Sequence, residues 1–335
     1  MNPWVDGFFA GAASIFCFLF YRYAIPGYST LQVSQSAIFL ATTLGWMASW
    51  PHFSATACRL YESKRNVSDF FLTATLVPAL IFIASVACFY YPVSFAPYFL
   101  KLFIFWSPYH FSSQTLGIAL IYARRIGLPL TKVSRLALTV FFISSFLVQY
   151  SESEMSLRTA FMYAISYPQL GLPAWTTTAC RSVMYTALAA LAFELVPVFL
   201  AQKKIPWIFL LLLFTQYLWF VHGAKDISFQ LLLPVFHGLQ YLLIGWALNL
   251  RGGEAPWGRS ARWFAMNAAG GAFLFAGIPQ ILSQIGWSRE FSTLVILAAV
   301  SVHHYFVDGV IWKLKREPIR SPLFRNVKWV LREEK

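Results

Sequence analysis

The stretch "FSTLVILAAVSVHHYFVDGVIWK", Phe291 to Lys313, carries both the fold signal of the chain and its chemistry. Its first half is an uncharged apolar run of the kind that forms helices inside membranes. Its second half holds His303, His304 and Asp308. Ionisable side chains are costly in hydrocarbon, so we expect these three to face the interior of a helix bundle and to mark a functional site.

The whole chain has the composition of a multi-pass membrane protein. Of its 335 residues, 58% are hydrophobic and only 12% are charged. The apolar runs predict an all-α bundle of about ten transmembrane helices, and the connections between them are too short for a soluble domain. The predicted spans begin near Gly7, Ala37, Phe70, Ala96, Leu136, Val183, Ile205, Phe229, Trp263 and Phe291.

The distribution of charge predicts an orientation. The net charge is +13, and most of the 26 basic residues lie in the loops after every second span and in the C-terminal tail. Cytoplasmic loops carry an excess of Lys and Arg, so both termini are predicted to be cytoplasmic. The chain then divides into a transmembrane domain, 1–312, and a basic cytoplasmic tail, 313–335. This indicates a multi-pass protein of the cell membrane, the inner membrane in a bacterium, and no nucleic-acid partner.

Two other features are consistent with a helical membrane domain. The first apolar run lacks a basic leader and a small-residue cleavage site, so we expect a retained helix and not a signal peptide. The four cysteines show no CxxC spacing, which indicates neither a disulfide framework nor a thiolate metal site.

The histidines carry most of the functional information. Five of the six fall inside predicted spans, and the sixth, His222, falls where the seventh span meets the outer surface. The five lie on four different spans: His52, His110, His237, and the pair His303 and His304. Imidazoles on several separate membrane helices predict one shared metal site.

Polar residues follow three of these histidines by one helical turn: Gln114 after His110, Gln240 after His237 and Asp308 after His304. Such spacing places both residues of each pair on one helix face. A metal-bound imidazole normally donates its other N–H to a carboxylate or carbonyl. We therefore expect Gln114, Gln240 and Asp308 to be partners of the histidines or parts of a hydrogen-bond network.

The donor set favours a particular group of metals. Imidazole with little carboxylate and no thiolate suits iron, with zinc or copper as alternatives, and disfavours magnesium and calcium. The HExxH motif of zinc proteases is absent. Membrane desaturases and alkane hydroxylases need many more histidines, and the paired histidines of a bis-histidine haem helix are missing.

Two other readings stay open at this stage. Intramembrane histidines also serve as hydrogen-bonding residues between helices. Alternatively, His303, His304 and Asp308 could form the relay of a proton-coupled membrane transporter. Such transporters commonly show repeat symmetry with helices broken at matching positions, and this pattern is not visible in the chain.

Four short motifs carry a resemblance to a known family: Pro51-His52, His110-Phe111, Phe236-His237, and His303 followed by Asp308. In their order they resemble the Brp/Blh family of membrane β-carotene 15,15′-dioxygenases. The resemblance implies a four-histidine non-haem iron(II) centre that uses dioxygen to cleave a carotenoid to retinal. Carried over by position, the ligands are His52, His110, His237 and His303, with His304 able to replace His303.

The chain departs from the family pattern at three positions. Thr56 and Gln114 stand where the family has acidic residues, and Tyr241 stands where it has a second histidine after His237. The sequence thus predicts a histidine-ligated non-haem iron oxygenase for a hydrophobic lipid or carotenoid. Asp308, Gln114, Gln240 and Tyr241 are its predicted catalytic residues.

Overall fold

The structure, a computed structural model, describes residues 3–25, 28–30, 32–155, 159–162, 165–202, 206–249 and 257–312. Within these ranges the chain is almost entirely helical, with a single two-stranded hairpin. The helices are α1 Pro3–Ala24, α2 Gln35–Tyr61, α3 Lys64–Asp69, α4 Leu72–Tyr90, α5 Ala96–Arg125, α6 Lys132–Ser153, α7 Ala174–Gln202, α8 Trp207–His222, α9 Ile227–Asn249, α10 Trp257–Gln284 and α11 Arg289–Ile311. The strands are β1 Thr159–Met162 and β2 Ile165–Pro168.

The helices are those of a membrane protein by length and composition. Among the described residues, seven are long and apolar enough to cross a membrane: α1, α4, α6, α7, α9, α10 and α11. Two more, α2 and α5, are as long but more polar, and these carry His52 and His110. Helix α8 is apolar but shorter. The predicted basic tail, 313–335, lies outside the described residues, as does the predicted span start at Ile205.

Several helix starts follow from local chemistry. Ser63, Thr131 and Ser288 precede α3, α6 and α11, and each side-chain oxygen accepts a hydrogen bond from the backbone N–H three residues later. Such caps satisfy backbone donors that have no partner inside the helix. The boundaries of these helices are therefore encoded locally.

Two helices form the centre of the bundle. In its most apolar window α9 is 72% buried, and α11 is 56% buried, whereas α4, α7 and α10 are each 22% buried. Helix α9 packs against α1, α2 and α5, and α11 packs against α2, α4 and α5. The central helices carry His237 and His304, so their imidazoles lie deep in the protein.

The two ends of the bundle are defined by contacts between helix termini. At one end, called here the Arg125 end, the Arg125 guanidinium lies 3.8 Å from Asp6, and Arg59 lies 5.3 Å from the ring centre of Trp312. The first contact joins the start of α1 to the end of α5, and the second joins the end of α2 to the end of α11. At the opposite end, Lys101 at the start of α5 pairs with Glu154 after α6.

The hairpin covers part of this opposite end, called here the hairpin end. Strands β1 and β2 pair antiparallel. The chain leaving β2 is held by Glu154, whose carboxylate accepts a hydrogen bond from the Leu170 N–H at 2.8 Å and whose backbone carbonyl accepts one from the Leu172 N–H at 2.7 Å. Glu154 is 2% exposed. One buried carboxylate therefore joins the hairpin segment to Lys101 of α5.

Five helices contain a π-helical turn: Phe8–Ala12, Gly45–Ser49, Leu72–Leu76, Leu218–His222 and Phe273–Gly277. A π turn inserts one extra residue and shifts the faces of the helix that follows, and such turns are frequent at functional sites. The turn in α2 ends at Ser49, three residues before His52. It thus sets the direction in which that imidazole points.

Candidate metal centre

Four imidazoles from four helices meet in the middle of the bundle: His52 of α2, His110 of α5, His237 of α9 and His304 of α11. The ring centres of His52 and His304, of His304 and His110, and of His110 and His237 are each 4.8 Å apart. Those of His237 and His52 are 5.1 Å apart, and the distance across the cluster from His237 to His304 is 6.3 Å. We call these four residues the histidine cluster. All four are buried.

The position of His52 depends on irregular backbone in α2. Pro51 has no N–H, and it lies two residues after the π-helical turn Gly45–Ser49. Together these features leave carbonyl groups without their usual helical partners. The carbonyls of Ala48 and Ser49 lie near the His52 ring. The same segment that turns the imidazole inward thus also places two backbone carbonyls near it.

A glycine lets α9 approach this segment closely. A Cβ atom at Gly238 would lie 2.7 Å from the Ala48 carbonyl oxygen and 3.0 Å from the Ser49 nitrogen. These distances are too short for any side chain, and both contacts are with backbone, which cannot move aside easily. The missing side chain therefore brings α9 against the π turn of α2 and places His237 beside His52.

Aromatic rings fix the orientation of the imidazoles. His237 stacks on Phe111 with ring centres 4.3 Å apart, and His110 stacks on Tyr305 at 4.5 Å. The Tyr305 hydroxyl is hydrogen-bonded to Ser107 at 2.6 Å. Phe53 contacts both His52 and His304, with centres 4.0 and 4.8 Å away. The cluster is thus packed among aromatic side chains, which limit rotation of its imidazole rings.

One carboxylate reaches the cluster. Asp308 Oδ2 lies 3.3 Å from His304 Nε2 and 3.7 Å from His110 Nε2, and these two nitrogens are 3.0 Å apart. The other oxygen, Oδ1, accepts hydrogen bonds from the Thr56 hydroxyl at 3.2 Å and from the Trp312 indole at 2.9 Å. The predicted proximity of Asp308 and His304 is therefore present, but the carboxylate approaches the nitrogen that faces the cluster.

Several ring nitrogens of the cluster have no hydrogen-bond partner within the described ranges, and this bears on whether the residues suit a metal ion. Both ring nitrogens of His52 and of His237 are buried without a hydrogen-bond partner of good geometry among the described residues, and so is Nδ1 of His304. An unsatisfied buried polar atom costs roughly 1 to 3 kcal/mol. One donor atom from each of His52, His237 and His304 lies within 4.8 Å of the others, and the same holds for His110, His304 and Asp308. The donor set fits a metal ion, which would remove part of this cost.

The structure separates the two neighbouring histidines of α11. His304 is 2% exposed and belongs to the cluster, whereas His303 is half-buried and belongs to neither donor group. Successive residues of an α-helix point about 100° apart, so only one of the two can face a given point. Of the two histidines that the family resemblance allows for the last ligand position, His304 is therefore the one that lies with the other three.

The two predicted glutamines do not contact ring nitrogens. Gln114 donates a hydrogen bond to the His237 backbone carbonyl at 3.0 Å, and Gln240 donates one to the Ala10 carbonyl at 2.6 Å. Thr115 donates to the Gln240 carbonyl oxygen at 3.1 Å. Of the two roles expected for these glutamines, the structure has the hydrogen-bond network, which here joins α1, α5 and α9.

Tyr241 and three residues outside the predicted set line the cluster. The Tyr241 ring centre lies 5.4 Å from that of His52 and 6.0 Å from that of His304. Tyr305, Phe111 and Trp312 contact His110, His237 and Asp308 and were not predicted. Two of them are sequence neighbours of cluster histidines, Tyr305 after His304 and Phe111 after His110, and that adjacency was the available signal.

The cluster lies between two cavities. A cavity of about 580 Å³ extends from His52 and His237 toward the hairpin end, where it reaches Glu154 and Tyr167. A second one, of about 280 Å³, extends from His110 and Asp308 toward the Arg125 end. Tyr305 lines both. The walls of the larger cavity are mostly apolar, so it suits an apolar ligand whose reacting atoms would lie beside the imidazoles.

Comparison with known proteins adds no family assignment. No family model, no curated protein and no solved structure matches the chain. The functional argument therefore depends on the geometry of the site.

Proposed function

We propose that the chain is a membrane-embedded oxygenase in which the histidine cluster holds one non-haem iron(II) ion. The observation that carries this proposal is the convergence of His52, His110, His237 and His304 from four helices, with ring nitrogens left unpaired in a buried apolar site. One ion bound by all four rings would take one nitrogen from His52 and one from His237, whose ring nitrogens have no other partner of good geometry among the described residues. Neutral imidazoles are good ligands for iron, and zinc and copper are the alternatives.

The proposed substrate is a hydrophobic, lipid-like molecule such as a carotenoid. The cavity of about 580 Å³ beside His52 and His237 supports this, because its walls are mostly apolar and it lies within the helix bundle. A bound iron(II) ion would supply the site at which dioxygen is activated next to the substrate. The chain itself binds and orients the substrate, excludes water, and holds the imidazoles through Phe111, Tyr305 and Phe53.

The orientation in the membrane is part of the proposal. We place the Arg125 end in the cytoplasm, with ten spanning helices, both termini on that side, and the protein in the cell membrane. The contacts of Arg59 and Arg125 at one end and of the hairpin at the other support this arrangement, because the basic loops then share a side. The hairpin and the part of the larger cavity that reaches Glu154 and Tyr167 would face the opposite side.

An oxygen-labelling experiment tests the proposal. The iron-loaded protein in detergent is given ¹⁸O₂ and a carotenoid, and aldehyde products are analysed by mass spectrometry. We expect ¹⁸O-labelled product from the wild-type protein and none from His237→Ala. His222→Ala is the matched control, because His222 is exposed at the end of α8, outside the cluster, and it should leave product formation unchanged. Equal activity of both variants would contradict the proposal.

A proton-coupled transporter is the second candidate function. It is favoured by the contacts that link His110, His304 and Asp308, because such a chain of groups can pass protons. A pH-sensitive dye inside proteoliposomes distinguishes the two functions. The oxygenase predicts no proton movement beyond that of empty liposomes, whereas a flux that is lost in Asp308→Asn would favour the transporter.

A further inference from the structure

We propose that Asp308 is itself a ligand of the ion, so that the centre consists of four imidazoles and one carboxylate. This inference rests on the proposed metal centre and adds to it a charged ligand. The sequence analysis assigned Asp308 a place behind a histidine, as the partner of its far nitrogen. The geometry assigns it a place on the ion.

The first argument is which nitrogen the carboxylate approaches. Asp308 Oδ2 lies 3.3 Å from Nε2 of His304, the same atom that faces His110 at 3.0 Å. A carboxylate that only orients a metal-bound imidazole contacts the nitrogen that does not bind the metal. In His304 that atom is Nδ1, and it is buried without a partner. Asp308 therefore lies on the ligand side of the ring.

The second argument is distance. Ligand atoms bound at about 2.1 Å from one ion are about 3.0 Å apart at right angles and about 3.4 Å apart at tetrahedral angles. The separations among His110 Nε2, His304 Nε2 and Asp308 Oδ2 are 3.0, 3.3 and 3.7 Å. They are close to the spacing of atoms that share an ion.

The third argument is the way the carboxylate is held. Oδ1 accepts hydrogen bonds from Thr56 and Trp312, which leaves Oδ2 free to face the two nitrogens. Trp312 is itself placed between the Arg59 guanidinium and the Tyr241 ring. The orientation of Asp308 is thus fixed by neighbours on α2 and at the end of α11 before an ion binds, as expected of a preorganised ligand.

The fourth argument is charge. A divalent ion bound by four neutral imidazoles keeps its full charge in an apolar interior, where an uncompensated charge is costly. One carboxylate ligand halves that charge. His304 belongs to both donor groups and so connects His52 and His237 with His110 and Asp308. We therefore place a single ion among all five side chains.

Cobalt(II) is the probe for the test, because its visible spectrum reports coordination number. The purified full-length protein is stripped with a chelator and titrated with Co²⁺, and metal-to-protein stoichiometry, affinity and spectrum are recorded for wild type, Asp308→Asn and Thr56→Val. We expect one Co²⁺ per chain in wild type. Asp308→Asn should bind at least about 100-fold more weakly, with a spectrum of lower coordination number. Thr56→Val should weaken binding less, by about 10-fold, with the spectrum of wild type.

Other cobalt-binding results would overturn the inference alone or the whole metal centre. An Asp308→Asn protein with the wild-type spectrum and affinity would overturn the inference and leave the four-histidine centre in place. Two Co²⁺ ions per chain would overturn the single five-ligand site. Absence of Co²⁺ binding in wild type would overturn the metal centre and the inference together. Thermal unfolding of the metal-free proteins shows whether Asp308→Asn still folds, and Asp308→Glu, which keeps a carboxylate, should recover the wild-type type of spectrum.

Discussion

At the scale of single residues, the site depends on which of two adjacent histidines faces inward. His304 contacts three other imidazoles, whereas His303 points elsewhere on α11 with its Nε2 buried and unpaired. Both residues have the same chemistry and nearly the same position along α11. Replacing them one at a time therefore separates membership of the cluster from the mere presence of a histidine in the membrane.

We expect His304→Ala to lower bound iron at least about tenfold, because His304 is the residue that belongs to both donor groups. His303→Ala is the matched control and should retain the wild-type iron content. The measurement is iron per chain by plasma mass spectrometry after purification without chelators. Loss of iron in both variants, or in neither, would argue against the assignment of His304.

Tyr305 offers a second prediction at this scale. Its ring stacks on His110 and its hydroxyl is hydrogen-bonded to Ser107. Tyr305→Phe keeps the stacking and removes one buried hydrogen bond, so the free energy of unfolding should fall by about 0.5 to 1.5 kcal/mol while bound iron is unchanged. Denaturant unfolding in detergent and metal analysis check the two parts. A large loss of iron from this variant would indicate that the hydroxyl itself supports the ion.

At the scale of secondary-structure elements, the decisive contact is the crossing of α9 over the π-helical turn of α2. Gly238 faces the backbone of Ala48 and Ser49 there. The crossing fixes the distance between His52 and His237, since both imidazoles lie within a few residues of it. The same turn and Pro51 aim His52 inward, so the geometry of the cluster depends on irregular backbone.

We expect Gly238→Ala to destabilise the protein by about 1 to 3 kcal/mol and to weaken metal binding, because the added methyl group forces α9 away from α2. Gly117→Ala is the matched control. Gly117 lies in α5 with nothing within 4 Å of an added Cβ, and alanine there should be neutral or stabilising by up to about 1 kcal/mol. Thermal unfolding and Co²⁺ titration of both variants give the comparison. Equal stability of the two would contradict the role of the crossing.

The sequence predicts the helices and the existence of a shared histidine site, but not how the helices are rotated against one another. The apolar runs and caps locate the helices, and histidines on four separate spans predict a shared site. The choice of His304 over His303 does not follow from these signals, because it depends on the rotation of α11 against its neighbours. Gln114 is one turn from His110 yet bonds to the His237 carbonyl, since helix packing decides which side chain reaches which group. No sequence pattern predicts the π turn of α2.

At the scale of the whole molecule, the bundle has two chemically different ends, with the cluster between two cavities. The Arg125 end gathers basic residues, and at the hairpin end Lys101 pairs with the buried Glu154. The ring of Tyr167 lies 5.4 Å from the Lys101 amine. Burial, with a smaller effect from the Glu154 charge, raises the pKa of the Tyr167 hydroxyl further above neutral pH.

Labelling from each side of the membrane tests the orientation. In a cysteine-free background, Glu62→Cys lies at the Arg125 end and Met155→Cys at the hairpin end, and both positions are exposed. A membrane-impermeant maleimide should label Met155→Cys in intact cells and Glu62→Cys only after permeabilisation. The reverse result would place the basic loops outside the cell, and labelling of both in intact cells would contradict a spanning bundle.

The most direct test of the central claim is the metal-to-protein ratio of active wild-type protein that has never met a chelator. The claim is that four imidazoles from α2, α5, α9 and α11 hold one ion. It predicts about one iron per chain, with activity rising and falling in proportion to iron content. Protein that is free of metal and fully active would contradict it.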